Sequence, residues 1–121
     1  MLTILVVDDD GDLRAAMCAV LEDAGHRVLE AENGADALTV LEKESADVAI
    51  VDVMMPVMDG LTLFDRVRGG TRCPTLPILL ATASRLSPAA LAGRDVPIVL
   101  KPVTPTMPLD AITKPVNRSA E

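Results

Sequence analysis

Asp8, Asp9 and Asp10 close an apolar, β-branched run; Asp52 closes a second, Thr82 a third, and Lys101, followed by Pro102, a fourth. If those four run ends meet at one edge, that edge gathers several carboxylates, a hydroxyl and an ammonium. Like-charged carboxylates brought together cost free energy unless a cation neutralises them. An all-oxygen donor set with few protein ligands suits Mg²⁺, which keeps waters and shares a phosphate. Each residue alone has a plainer explanation. An Asp run after a strand is commonly a helix cap or a solvated turn, a Thr is a strand former, and a single Lys is a surface charge. Their coincidence at four strand-like ends makes the edge a candidate site.

Positioning those residues requires strands that end together. Five short β-branched segments read as buried parallel strands, at 3–7, 27–31, 47–51, 76–81 and 97–100. After the first, Leu13, Ala16, Met17, Val20, Leu21 and Ala24 recur at three and four residues, with Asp10 or Gly11 to cap the start and Gly25 to end it. That spacing predicts a one-sided amphipathic helix. Helices are also predicted at 35–43, with Ala37, Leu38 and Leu41 apolar, and at 61–68, where Phe64 and Val67 share a stripe and Gly69-Gly70 is the stop. The segment from Ser87 to Gly93 offers barely two turns, and Pro105, Pro108 and Pro115 interrupt the last one. The fourth and fifth helices are therefore expected to be short or irregular. Strands alternating with helices imply right-handed crossovers and a doubly wound α/β domain, a five-stranded parallel sheet with helices on both faces. Such sheets bind ligands beyond the carboxyl ends of their strands, which is the acidic edge.

A chain of 121 residues fits one core. One domain is expected over 1–114, followed by a polar C-terminal tail over 115–121. The net charge of −7 and a single aromatic residue, Phe64, disfavour direct nucleic-acid binding. No apolar run approaches membrane-spanning length and no signal-peptide pattern is present, so a cytoplasmic protein without membrane association is expected. Cys18 and Cys73 show no metal-ligand spacing and are expected as reduced thiols. Met17, Met54, Met55 and Met58 read as core or contact filler rather than soft-metal ligands. His26, the only histidine, precedes the second strand and reads as a surface residue away from the acidic edge.

Taken in order, Val6-Val7-Asp8-Asp9-Asp10, then Asp52-Val53-Met54-Met55-Pro56-Val57-Met58-Asp59-Gly60, then Ala81-Thr82-Ala83 and Lys101-Pro102 resemble the receiver domain of two-component response regulators. The resemblance spans residues 2 to about 112, and the run from Asp52 to Gly60 is its most specific part. It implies the sheet order 2-1-3-4-5 and a phosphoryl group accepted on Asp52. It also implies a bound Mg²⁺, ligated directly by Asp9, largely through water by Asp8, and by Asp52 and the backbone carbonyl of Met54. Lys101 would offset charge on the phosphoryl oxygens, Thr82 would hydrogen-bond the acquired group, and Ala83 would leave a path for donor and water. The implied donor is a phosphohistidine on a sensor histidine kinase or phosphotransfer protein. The implied output is altered binding to a downstream protein or an attached output domain. On this reading the domain is a regulatory module rather than an enzyme, catalysing only its own phosphorylation and slow dephosphorylation.

Two departures bear on output. Ile98 stands three residues before Lys101, where many receivers carry Tyr or Phe, and the stretch from Thr82 to Lys101 is shorter than usual. With no aromatic ring there to swing inward, weaker or different coupling is expected. Two other functions compete. A Mg-dependent aspartyl-phosphate phosphohydrolase commonly needs a second aspartate two residues after the nucleophile, but Met54 stands there and cannot transfer a proton. A phosphorylation-independent scaffold predicts loss of the acidic and phosphoryl-binding residues, all of which are present.

Overall fold

The computed structural model describes residues 1–82 and 96–100. Its strands are β1 (Thr3–Val7), β2 (Arg27–Ala31), β3 (Val48–Asp52), β4 (Ile78–Thr82) and β5 (Ile98–Leu100). The helices among the described residues are α1 (Gly11–Asp23), α2 (Gly34–Lys43) and α3 (Gly60–Gly69). Every strand pairing is parallel, in the order β2-β1-β3-β4-β5. The chain runs outward from β1 to β2 and returns to place β3 on the other side of β1, so the order reverses between β1 and β3. Their carboxyl ends lie side by side, Val7 in register with Val51. This is where a sheet of this kind opens a binding crevice.

Strand alternation divides the core in two. Ile4, Val6, Val48, Ile50, Leu79 and Ala81 cluster with Met17, Cys18 and Leu21 of α1. Leu5, Val7, Ala49, Val51, Ile78 and Leu80 cluster with Ala37 and Leu41 of α2 and with Leu63, Phe64 and Val67 of α3. Both faces being covered, β1, β3 and β4 are almost wholly apolar and buried, whereas the edge strand β2 exposes Arg27 and Glu30. Each fully buried Ile or Leu contributes about 1.5–3 kcal/mol relative to exposure.

The helix ends follow the sequence signals. Asp10 caps α1, its carboxylate accepting the Asp12 and Leu13 amides at 3.1 Å each. At the other end Gly25 takes φ 95°, its amide donating to Glu22 O and the His26 amide to Leu21 O. This Schellman closure needs a residue tolerant of positive φ. Asn33 caps α2 and Asp59 caps α3, accepting the Asp36 and Thr62 amides at 2.8 Å each.

Two boundary shifts concern the site. Asp52 and Thr82 were expected just after their strands, yet each is a strand's last residue. Asp52 is in register with Ala81, and the Val53 amide donates to Ala81 O at 3.0 Å, carrying the ladder past the carboxylate. The expectations for residues 83–95 and 101–121 lie outside the described residues. They comprise the short fourth helix, the proline-interrupted fifth, the boundary at 114 and the polar tail.

Candidate functional site

Carboxylate oxygens of Asp8, Asp9 and Asp52 all lie within 4.8 Å of one another. Asp8 follows β1 directly and is 1% exposed, Asp52 ends β3 and is 7% exposed, and Asp9 faces solvent. The set is all hard oxygen. Ligands on opposite sides of Mg²⁺ stand about 4.2 Å apart, from bonds of about 2.1 Å each. Adjacent ligands stand about 3.0 Å apart, so the trio would draw in, or reach the ion partly through water, to share one such ion, and the donor chemistry fits it. Asp10 is spent on capping α1, as expected, and its own amide donates to Asp8 Oδ1 at 3.0 Å. The Met54 amide faces Asp52 Oδ1 at a long 3.4 Å. Thr82 ends β4 beside Ala81, the register partner of Asp52, and is buried. The expected roles of Ala83 and Lys101, with Pro102, fall outside the described residues.

The segment joining β3 to α3 is tightly constrained. The Gly60 amide donates to Val53 O at 2.9 Å, and a Cβ at Gly60 would overlap the Asp52 carbonyl oxygen and meet Val53 Cα at 3.0 Å. Between them the Met58 amide donates to Pro56 O at 2.7 Å around Val57 at φ 69°. A β-branched residue in such a γ-turn is strained, by about 1–3 kcal/mol. The Gly34 amide, opening α2, donates to Met58 O at 3.2 Å. Met55 and Met58 pack against the α2 and α3 side of the core and Met17, on α1, is buried against the other face of the sheet, as filler should be. Met54 is 74% exposed and Val57 is 83% exposed, so neither fills a core.

Sequence reasoning missed Arg14. Its Nη1 donates to the Asp8 carbonyl at 2.6 Å and its Nε to Glu30 Oε1 at 3.0 Å. Nothing in the spacing marks it, because one partner is a backbone oxygen six residues back and the other lies on β2. His26 is half-buried at the opposite edge, where Nδ1 accepts the Leu2 amide at 3.1 Å. Cys18 and Cys73 are free thiols. Burial first, then the nearby Glu30 and Glu22 carboxylates, push the Cys18 thiol from 9.0 up to about 11. Ile98 is half-buried and packs against the α2 and α3 side of the core. No helix among the described residues is long and apolar enough to cross a membrane.

Comparison with known proteins converges on one family. The family described as response regulator receiver domain matches residues 4–119. The chain is 37% identical over 106 residues to the response regulator receiver protein CpdR of Brucella abortus, covering 84% of this chain and 86% of that one. It is 35% identical over 124 residues to the transcriptional regulatory protein AfsQ1 of Streptomyces coelicolor, covering 100% of this chain and 53% of AfsQ1. Of other curated relatives it spans 61% and 34% of the length. Among solved structures, it superposes on the receiver domain of the sensor histidine kinase PA1611 of Pseudomonas aeruginosa with a TM-score of 0.80 at 25% identity, covering 94% of this chain and 95% of that one. That crystal structure holds a magnesium ion coordinated in the active-site cleft.

Proposed function

Since this chain belongs to the response regulator receiver domain family, a family of regulatory signalling domains, we propose that Asp52 is its phosphoacceptor and that Asp8, Asp9, Asp52 and the Met54 carbonyl hold Mg²⁺. The observation that carries the proposal is the convergence of three carboxylates within 4.8 Å where β1 and β3 end side by side. An Asp52 carboxylate oxygen attacks the phosphorus of a phosphohistidine on a partner protein. A P–O bond forms, the P–N bond breaks, and the imidazole leaves with the electron pair and takes up a proton from solvent. A carboxylate is a weak nucleophile, so most of the acceleration comes from positioning. The β3–β4 ladder supplies it by holding Asp52 extended. When bound, Mg²⁺ neutralises charge on the carboxylates and on the transferring phosphoryl oxygens. The Thr82 hydroxyl hydrogen-bonds the acquired group, Lys101 offsets its charge and Ala83 leaves the approach open.

The receiver occupies 1–114 with a polar tail over 115–121, and it works in the cytoplasm. Its donor is a histidine kinase or phosphotransfer protein, and its output is altered binding to another protein or to an attached domain. Incubation with an acyl phosphate and Mg²⁺, followed by intact mass measurement, tests the reading. A phosphate-sized gain in wild type that is lost in Asp52→Asn is expected. No gain under conditions that modify a known receiver would sink it, and sustained release of many phosphates per chain would favour a phosphohydrolase instead.

A further inference from the structure

Arg14 lies outside the chemistry just described, yet its contacts lead into it. Asp8 stands one residue beyond β1, and its amide extends the β1–β2 ladder by donating to Ala31 O at 3.1 Å. In a parallel ladder the carbonyl of that residue would next accept the amide two residues past Ala31, that of Asn33. Asn33 is instead the cap of α2, and the Glu32 amide turns to Asp36 Oδ2 at 3.3 Å. The ladder has therefore ended before it can supply that donor. The Arg14 guanidinium takes its place, Nη1 on the Asp8 carbonyl at 2.6 Å and Nε on Glu30 of β2 at 3.0 Å. One side chain thus ties the first turn of α1 to the exit of β1 and to the end of β2.

We propose that Arg14 is a positioning residue of the acidic site. It fixes the Asp8 peptide where the chain leaves the sheet, so that buried Asp8 and exposed Asp9 present their carboxylates together to Asp52. The proposal rests on the reading of this trio as a divalent-cation site. Removing Arg14 has two effects of opposite sign. As a cation near three carboxylates it repels a divalent ion, so charge alone predicts tighter binding without it. As a support for the ligands its loss predicts weaker binding, by about 10-fold. Tethering of the Asp8 carbonyl makes the second effect the larger.

The test is a MgCl₂ titration of ¹⁵N-labelled chain, read at the Asp9 and Asp10 amides, for wild type, Arg14→Met, Arg14→Lys, Glu30→Gln and Asp52→Asn. Arg14→Met is expected to weaken Mg²⁺ about 10-fold. Glu30→Gln, which keeps an acceptor oxygen but removes the charge of the outer tether, is expected to weaken it by at most about twofold to fivefold. Arg14→Lys should fall between, since an ammonium cannot span both partners as the guanidinium fork does. In phosphorylation by an acyl phosphate, Arg14→Met should raise the Mg²⁺ concentration giving half-maximal rate while leaving the rate at saturating Mg²⁺ within about twofold. A general loss of packing would lower that saturated rate as well. If Arg14→Met does not fold, Arg14→Lys and Glu30→Gln decide the matter in the same way. Unchanged or tighter Mg²⁺ binding in the folded variants, with Asp52→Asn weakened, overturns the role of Arg14 alone. A wild-type chain that binds no Mg²⁺ sinks the cation reading and this proposal with it.

Discussion

Replacing Gly60 by Ala tests whether α3 and the acceptor strand share a backbone contact. The added Cβ would overlap the Asp52 carbonyl oxygen and come within 3.0 Å of Val53 Cα and 3.1 Å of the Asp52 carbonyl carbon. All three are backbone atoms, so no rotamer change relieves the clash, and the Gly60 amide bond to Val53 O at 2.9 Å must lengthen. Overpacking of this kind costs about 1–3 kcal/mol, and the strained hydrogen bond adds about 0.5–1.5 kcal/mol. Ala gains at most about 1 kcal/mol of helix propensity over Gly, and less at a helix's first residue. A net loss of about 1–3 kcal/mol is expected. Gly69, the last residue of α3, has open space where its Cβ would go, so Gly69→Ala should be neutral or stabilise by up to about 1 kcal/mol. The chain has no Trp or Tyr, so urea unfolding is best followed by far-UV circular dichroism. The thermal midpoint should fall by roughly 4 °C per kcal/mol. The Asp52 phosphorylation rate at saturating Mg²⁺ should fall as well, because the carbonyl that moves belongs to the proposed acceptor. Equal stability of the Gly60→Ala and Gly69→Ala variants would refute the reasoning.

Val57→Gly should stabilise the fold by about 1 kcal/mol, since relief of positive φ at an exposed side chain outweighs the entropy a glycine adds to the unfolded state; a lower urea midpoint would show that the turn is unstrained. Mg²⁺ at tenfold its Kd should raise wild-type stability by about 1.4 kcal/mol, with the gain removed by a chelator and largely absent in Asp52→Asn; equal gains in both proteins would detach the ion from Asp52. The Cys18 thiol, raised from 9.0 to about 11, keeps its proton in the folded chain while the unfolded chain loses it. Stability should therefore fall as pH rises through that window, and Cys18→Ala should flatten the decline in urea midpoints. Backbone amide shifts on phosphorylation should be largest over 53–60 and at Gly34 and small at Ile98; large changes centred on Ile98 would contradict this.

The strands were legible because burial on both sheet faces leaves an apolar signature that needs no knowledge of partners, as in Ile4-Leu5-Val6-Val7. Asp10 was legible as a cap because its role is local, reaching amides two and three residues on. The end of β3 was misplaced because Asp reads as a strand breaker, whereas pairing with Ala81 of β4 keeps Asp52 extended. Val57 gave no warning of its turn, since a β-branched residue argues against positive φ. Arg14 was invisible because what it holds is the backbone oxygen of Asp8, a group that every residue carries. The acidic trio was readable because its residues fall at the ends of strand-like runs and within a recognisable motif, whereas the Arg14 contacts exist only in three dimensions.

The two supports of the site differ in stiffness, and that difference bears on how a phosphoryl group is felt. Asp52 is held by β4, in register with Ala81 and followed by the Val53 amide on Ala81 O, while Val51 before it is in register with Val7 of β1. Moving it breaks backbone hydrogen bonds worth about 1 kcal/mol each. The chain beyond it turns through Val57, where strain of about 1–3 kcal/mol is already stored and is released if the turn opens. Phosphorylation of Asp52 would replace the single negative charge of a mostly buried carboxylate by nearly two on the phosphoryl oxygens, where they interact more strongly than in water. The ladder resists that load, so the turn is the cheaper place to yield. Its Met58 carbonyl is bonded to the Gly34 amide, which passes any movement to the start of α2. Ile98 is an aliphatic side chain packed against the α2 and α3 side of the core, with no ring to rotate. The path of lower cost therefore leaves Asp52 through the loop that follows it rather than through β5.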